Sequence, residues 1–169
     1  MVLDRLDELA ELAESTGNGS DLEGCRWPVA LVSSSRSPRY MGGWCNGTAG
    51  HLQLWAAAAR LVQKTRYVEV ANRTAAEVLR SARLDPNPFL CCGASGAAYA
   101  LLALSESTNK QVLVDGAFLL AEQAAQQVML PQFPAMSLYR GPLGVAVLAS
   151  DLRRSTAASM PMFGPEHPR

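Results

Sequence analysis

Three segments of the chain superimpose: "WCNGTAGHLQLWAAA" from Trp44, "LCCGASGAAYALLAL" from Leu90 and "LYRGPLGVAVLASDL" from Leu138. Each is G-x-x-G followed by an Ala- and Leu-rich stretch. Their first glycines, Gly47, Gly93 and Gly141, are 46 and 48 residues apart. A near-constant period of this length marks a repeat architecture, in which each unit buries its apolar face only against its neighbours. Between the three segments lie amphipathic patterns. Val68, Ala71, Ala75, Val78 and Ala82 keep a helical spacing, as do Leu113, Ala117, Leu120, Ala121, Ala124 and Val128. Val2, Leu6, Leu9, Ala10 and Ala13 do so at the start. "DPNP" (85–88) and "LPQFP" (130–134) are breakers.

The Ala-rich helices are apolar all round, as buried helices are, and the intervening ones carry charge on one face. Two alternating classes predict an all-α chain, a partial α/α toroid of about three inner/outer helix pairs. The glycines are expected to let the backbone turn tightly at each inner-helix N-terminus. No convincing strand is found; "PVALV" (28–32) is a weak candidate. Residues 1–169 read as one domain, with a flexible tail at 164–169.

Fifteen basic and fifteen acidic side chains cancel, which argues against a nucleic-acid or anionic-membrane partner. The weakly polar-to-apolar run Gly93–Leu104 is too short to cross a bilayer, and "MVLDRLDELAEL" is acidic and amphipathic, unlike a signal peptide. A cytoplasmic, reducing location is therefore expected. The N-x-[ST] triplets at Asn18, Asn46 and Asn72 are then accidental.

In the repeat frame Cys45 and Cys91 share one position, two residues before the first glycine, and Cys92 follows. Stacked units would gather all three at one end of the inner ring. Zinc takes thiolates at about 2.3 Å, and a catalytic site has three protein ligands and one open place. Inner-helix N-termini would favour the thiolates. A Zn²⁺ ion with three thiolates carries net charge −1, so a fourth thiolate would stay nucleophilic. Two other readings stand beside this one: buried cysteines acting as small hydrophobes, and a closed structural site completed by Cys25.

"GGWCNGTAGH", "LCCGASG" and "SLYRGPLGVAVLASDL" together resemble the lanthionine synthetase C-like (LanC-like) family, from about Trp27 to Phe163. The resemblance implies an α/α toroid with a central zinc ion. Its usual ligands are a cysteine in W-C-x-G and a Cys-His pair in C-H-G. Cys45 and Cys91 match; Cys92 stands where histidine is usual, giving Cys45, Cys91 and Cys92 as metal ligands. The implied reaction is addition of a peptide cysteine thiolate to a dehydrated Ser or Thr, forming a thioether.

The family's proton-handling histidine and assisting aspartate sit on earlier repeats, so this chain resembles the C-terminal portion of a cyclase domain. A missing N-terminal half or a kinase-like domain is an implied partner, besides the peptide substrate. His51 and Arg140 are the candidate catalytic residues here. His51 also reads as a packed or supporting residue, and Arg140 as a helix cap. Trp44 and Tyr139 read as packing residues. His167 falls in the Pro-rich tail, and "MPMF" (160–163) resembles a family terminus that folds back near the site. Two functions compete with cyclisation: a non-catalytic zinc-binding module that docks peptides, and addition of glutathione to dehydroamino acids. Uncovered toroid edges predict self-association.

Overall fold

The computed structural model describes residues 1–17, 23–31, 37–129, 136–154 and 158–161. Six α-helices dominate: α1 (Val2–Glu11), α2 (Thr48–Val62), α3 (Thr65–Ser81), α4 (Ala94–Thr108), α5 (Gln111–Val128) and α6 (Pro142–Arg154). A short 3₁₀ turn, Ala82–Leu84, follows α3. The inner helices are α2, α4 and α6. Central α4 packs on α2, α5 and α6, and eleven of its residues from Ala94 to Ser105 are buried. The outer helices show the predicted one-sided burial. On α3, Ala71, Ala75 and Val78 are buried; on α5, Leu113, Ala117, Leu120 and Ala124. The chain is thus an all-α partial toroid.

The inner helices α2 and α4 pass to the next outer helix by the same device. Gln63 and Asn109 adopt the left-handed conformation (φ 54° and 50°), and their N–H groups donate to Ala59 O and Ser105 O. Lys64 and Lys110 then open α3 and α5. A single left-handed residue reverses the chain, which keeps the helix pair antiparallel and tight. At Gly116, a Cβ would lie 2.3 Å from Leu79 Cδ2 and 3.4 Å from Leu101 Cδ1, so α5 sits deep in the groove between α3 and α4. The Tyr99 hydroxyl donates to Asp151 Oδ2 at 2.6 Å, tying α4 to α6.

One expectation needs correction. Glu14–Thr16 (β1) and Gly24–Arg26 (β2) form an antiparallel pair, Ser15 opposite Cys25. Pro28–Leu31 is not strand, and Val32 lies outside the described residues. The pair forms through anchoring rather than through its own pattern. The Thr16 hydroxyl donates to Glu77 at 2.7 Å, and Cys25 is fully buried against α3.

α1 is held at its middle. Asp7 accepts hydrogen bonds from Lys64 Nζ (2.7 and 2.9 Å) and from the Tyr67 hydroxyl (3.1 Å). The Lys64 hydrogen bond, above all, holds the Asp7 carboxyl below its ordinary value of 3.8. A carboxyl lowered on folding stabilises the fold above its unfolded value, and that contribution disappears as pH falls through the folded value. Release of α1 by limited pepsin digestion should therefore rise as pH falls below about 3.8. In an Asp7→Asn chain it should lose that pH dependence; an unchanged profile would show that other groups hold α1.

Candidate metal centre

The loops before α2 and α4 wrap back over the helix N-termini. Thr48 N and Ala49 N donate to Met41 O and Gly42 O, both at 3.0 Å. Ala94 N and Ser95 N donate to Asn87 O (2.8 Å) and Pro88 O (3.3 Å) in the same pattern. These bonds satisfy amides that a helix otherwise leaves open. The glycines serve close approach rather than an unusual dihedral. Gly47 and Gly93 are extended (φ −159° and −141°), but a Cβ would lie 2.2 Å from Met41 O and 2.0 Å from Asn87 O.

Adjacent loops are then joined in register. Trp44 N and Cys45 N donate to Cys91 O (2.9 and 3.3 Å), and Cys91 N donates to Tyr139 O (2.9 Å). Cys45, Cys91 and Tyr139 are equivalent positions, so the ladder sets Cys45 directly beside Cys91. Gly43 allows this closeness, since a Cβ there would be 2.8 Å from Cys92 Cα. The result is a triangle of sulfurs. Cys45 Sγ is 3.5 Å from Cys92 Sγ, Cys92 Sγ is 3.2 Å from Cys91 Sγ, and all three lie within 4.8 Å of one another. All are free thiols, Cys45 exposed and the other two half-buried.

Tetrahedral zinc with 2.3 Å arms would need sulfurs about 3.8 Å apart. The edges of 3.5 and 3.2 Å are somewhat short of that and the third is within 4.8 Å, so sub-ångström to ångström shifts would seat the ion, and the exposed side of Cys45 leaves room for a fourth group. Burial, and then hydrogen bonds to Cys91 and Cys45, push Cys92 up to about 12. Cys91 is lowered: burial opposes its ionisation, but hydrogen bonds from Cys92, Cys45 and Arg140 outweigh that. Arg140 is thus the cation beside the thiols, one residue past the Tyr139 rung. Cys25 does not join them; its Sγ lies 3.4 Å from Thr74 Oγ1, and burial raises its pKa.

His51 lies on α2, one turn into the helix. Its ring stacks on Trp27 (centroids 4.3 Å, planes 12° apart). Its Nδ1 is buried with no partner among the described residues, and burial lowers its pKa. With Trp44, Cys45, Asn46, Gly50 and Leu54 it lines an open hollow of about 310 Å³. The sequence reading overlooked Trp27 and Gln53. Trp27 packs between His51 and Trp55 and donates to Leu9 O at 2.8 Å. Gln53 accepts from Trp44 Nε1 (3.2 Å) and reaches Met160 Sδ (3.5 Å). Beside it, Trp44 stacks on Tyr139 and the Tyr139 hydroxyl donates to Pro161 O at 3.1 Å. Residues 158–161 therefore return to the flank of the site. Met162, Phe163 and His167 lie outside the described residues.

The family model for lanthionine synthetase C-like proteins matches residues 5–163. The chain belongs to that family. No curated protein matches it individually. The match starts well before Trp27, so α1 and the small sheet are part of the LanC-like unit. No described helix is long and apolar enough to cross a membrane.

Proposed function

We propose that Cys45, Cys91 and Cys92 hold one zinc ion, and that the chain works in lanthionine-type thioether formation on a modified peptide. The observation that carries this reading is the sulfur triangle, built by two equivalent loops of a LanC-like chain. When bound, zinc would take a cysteine thiol as its fourth ligand and keep it a nucleophilic thiolate. The protein's own groups set the rest. With Cys45, Cys91 and Cys92 all as thiolates, a bound Zn²⁺ centre would carry net charge −1 and would leave an incoming sulfur its electron density. Arg140 offsets that charge and supplies N–H donors beside Cys91, where an enolate oxygen forming next to the sulfur would need them. His51, kept neutral by burial, is the described imidazole nearest in sequence to Cys45; its stacked ring makes a supporting role its natural one.

In the reaction, the substrate sulfur bonds to Cβ of the dehydroamino acid and the thiol proton ends on Cα. We place the remaining acid/base groups on a further cyclase segment outside this chain. Four free thiols suit a reducing, cytoplasmic setting.

The reading is tested in two steps. Purified protein should contain about one zinc per chain. Ring closure leaves peptide mass unchanged, so it is followed by loss of the thiol that an alkylating reagent would label. Thiol consumption in a dehydrated cysteine peptide should need zinc and stop on chelation. Folded, metal-free protein that ignores added zinc would overturn the proposal.

A further inference from the structure

Cys45 and Cys92 meet across two loops that are already clamped together. Trp44 N and Cys45 N donate to Cys91 O, and a Cβ on Gly43 would lie 2.8 Å from Cys92 Cα. On this scaffold Cys45 Sγ and Cys92 Sγ touch at 3.5 Å, so about 1.5 Å of closure separates them from a disulfide bond. Cys91 Sγ is nearer to Cys92 Sγ, at 3.2 Å, but adjacent residues make a poor pair. Their Cα atoms are about 3.8 Å apart across a trans peptide, short of the roughly 4.4–6.8 Å that disulfides span.

The metal centre therefore carries a second thiol that can resolve an oxidised first one. Cys92 stands where the family's usual ligand is histidine, which can hold zinc but cannot bond to sulfur. Cysteines oxidise reversibly where a reachable thiolate lies beside another thiol. Access follows from the proposed chemistry: the place open to a peptide sulfur also admits a molecule as small as hydrogen peroxide. The net charge of −1 that keeps an incoming thiolate nucleophilic would keep the protein's own sulfurs nucleophilic too.

We infer that Cys45 and Cys92 form a reversible disulfide under hydrogen peroxide, and that the bridge empties the metal centre. The inference rests on the three-sulfur zinc reading. One thiolate attacks the peroxide O–O bond; its sulfur becomes a sulfenic acid and hydroxide leaves. The second thiolate attacks that sulfur, forms the S–S bond and displaces the second hydroxide. The two sulfurs give up two electrons in all, peroxide takes them, and both hydroxides are protonated to water. The ligand set falls from three thiolates to Cys91 alone, which is too little to retain the ion. A dithiol reverses the bridge by exchange and restores the set. Thioether formation would then pause during exposure to oxidant without loss of the fold.

Zinc-loaded protein treated with equimolar hydrogen peroxide should lose two of its four free thiols to alkylation, and should release zinc to a chromophoric chelator in step. Trypsin should then yield residues 40–60 joined to residues 84–110. Dithiothreitol should undo the link and restore zinc binding. Cys92→His supplies the family's usual ligand, so it should hold zinc and give roughly a tenth or less of the wild-type link. Cys92→Ser should lose the link in the same way, and decides the matter if the imidazole does not fit. Cys25→Ala, outside the triangle, should link as the wild type does. A zinc-loaded wild type that forms no link, or a link that survives Cys92→His or Cys92→Ser, would overturn the inference and leave the metal reading standing. A folded chain that takes up no zinc yet links Cys45 to Cys92 would overturn the metal reading instead.

Discussion

A Cys91→Ala chain should remain folded yet purify with less than a tenth of the zinc of the wild type. Cys91 ties the loops through its backbone, which alanine keeps: its N–H bonds Tyr139 O and its carbonyl receives Trp44 N and Cys45 N. Its side chain is half-buried rather than part of the closed core, so truncation costs little packing. The sulfur is a different matter. It lies 3.2 Å from Cys92 Sγ, and hydrogen bonds from Cys92, Cys45 and Arg140 make it the group that takes up negative charge. Its removal leaves two thiols, Cys45 and Cys92, one short of the three-sulfur set. A two-sulfur remnant should bind zinc weaker by a factor on the order of 10³. Metal analysis beside circular dichroism checks both halves of the prediction. Cys25→Ala is the control. That thiol packs against Val70 and Thr74 of α3, and its loss should lower stability while zinc stays stoichiometric. Full zinc occupancy in Cys91→Ala would break the proposed ligand set.

The spacing of Gly47, Gly93 and Gly141 makes the meeting of Cys45, Cys91 and Cys92 legible in the sequence. Units stacked in register bring equivalent positions together, which is how residues 46 apart in the chain, Cys45 and Cys91, share a backbone rung. The outer helices were legible because their apolar period is long and regular. Other features depend on contacts that no local pattern encodes. Glu14, Ser15 and Thr16 are polar and do not alternate, and they pair with β2 because Glu77 holds Thr16 in place. Arg140, by contrast, follows from the repeat frame, where it aligns with Cys92, and it lies beside Cys91. His51 finds its partner at Trp27, on a segment outside the repeat frame. One signal was present and unused: the pairs Gln63-Lys64 and Asn109-Lys110 recur at the repeat interval and mark the left-handed reversals. The G-x-x-G reading located the right residues but gave them a conformational reason, where the structure gives a steric one.

That steric reason leads to the larger structural effect. Gly96→Ala should destabilise the chain by roughly 3 kcal/mol or more, although alanine is intrinsically favoured over glycine inside a helix by about 1 kcal/mol. The added Cβ would lie 2.1 Å from Leu90 O and 3.4 Å from Trp44 Cβ. The first contact is with backbone, in a loop fixed by the Cys91–Tyr139 and Trp44–Cys91 bonds, so no side-chain rotation relieves it. Either α4 slides along its neighbours or the loop carrying Leu90 and Cys91 lifts. α4 is buried on every side, so the loop should yield, and zinc affinity should fall together with stability. Gly42→Ala is the matched control, since a Cβ there meets only Ser81 Oγ, at 3.8 Å. Thermal unfolding should separate the two by roughly 10 °C, with Gly42→Ala close to wild type. If both variants melt with the wild type, the loops are not pressed onto the inner helices, and the sulfur triangle loses the scaffold that defines it.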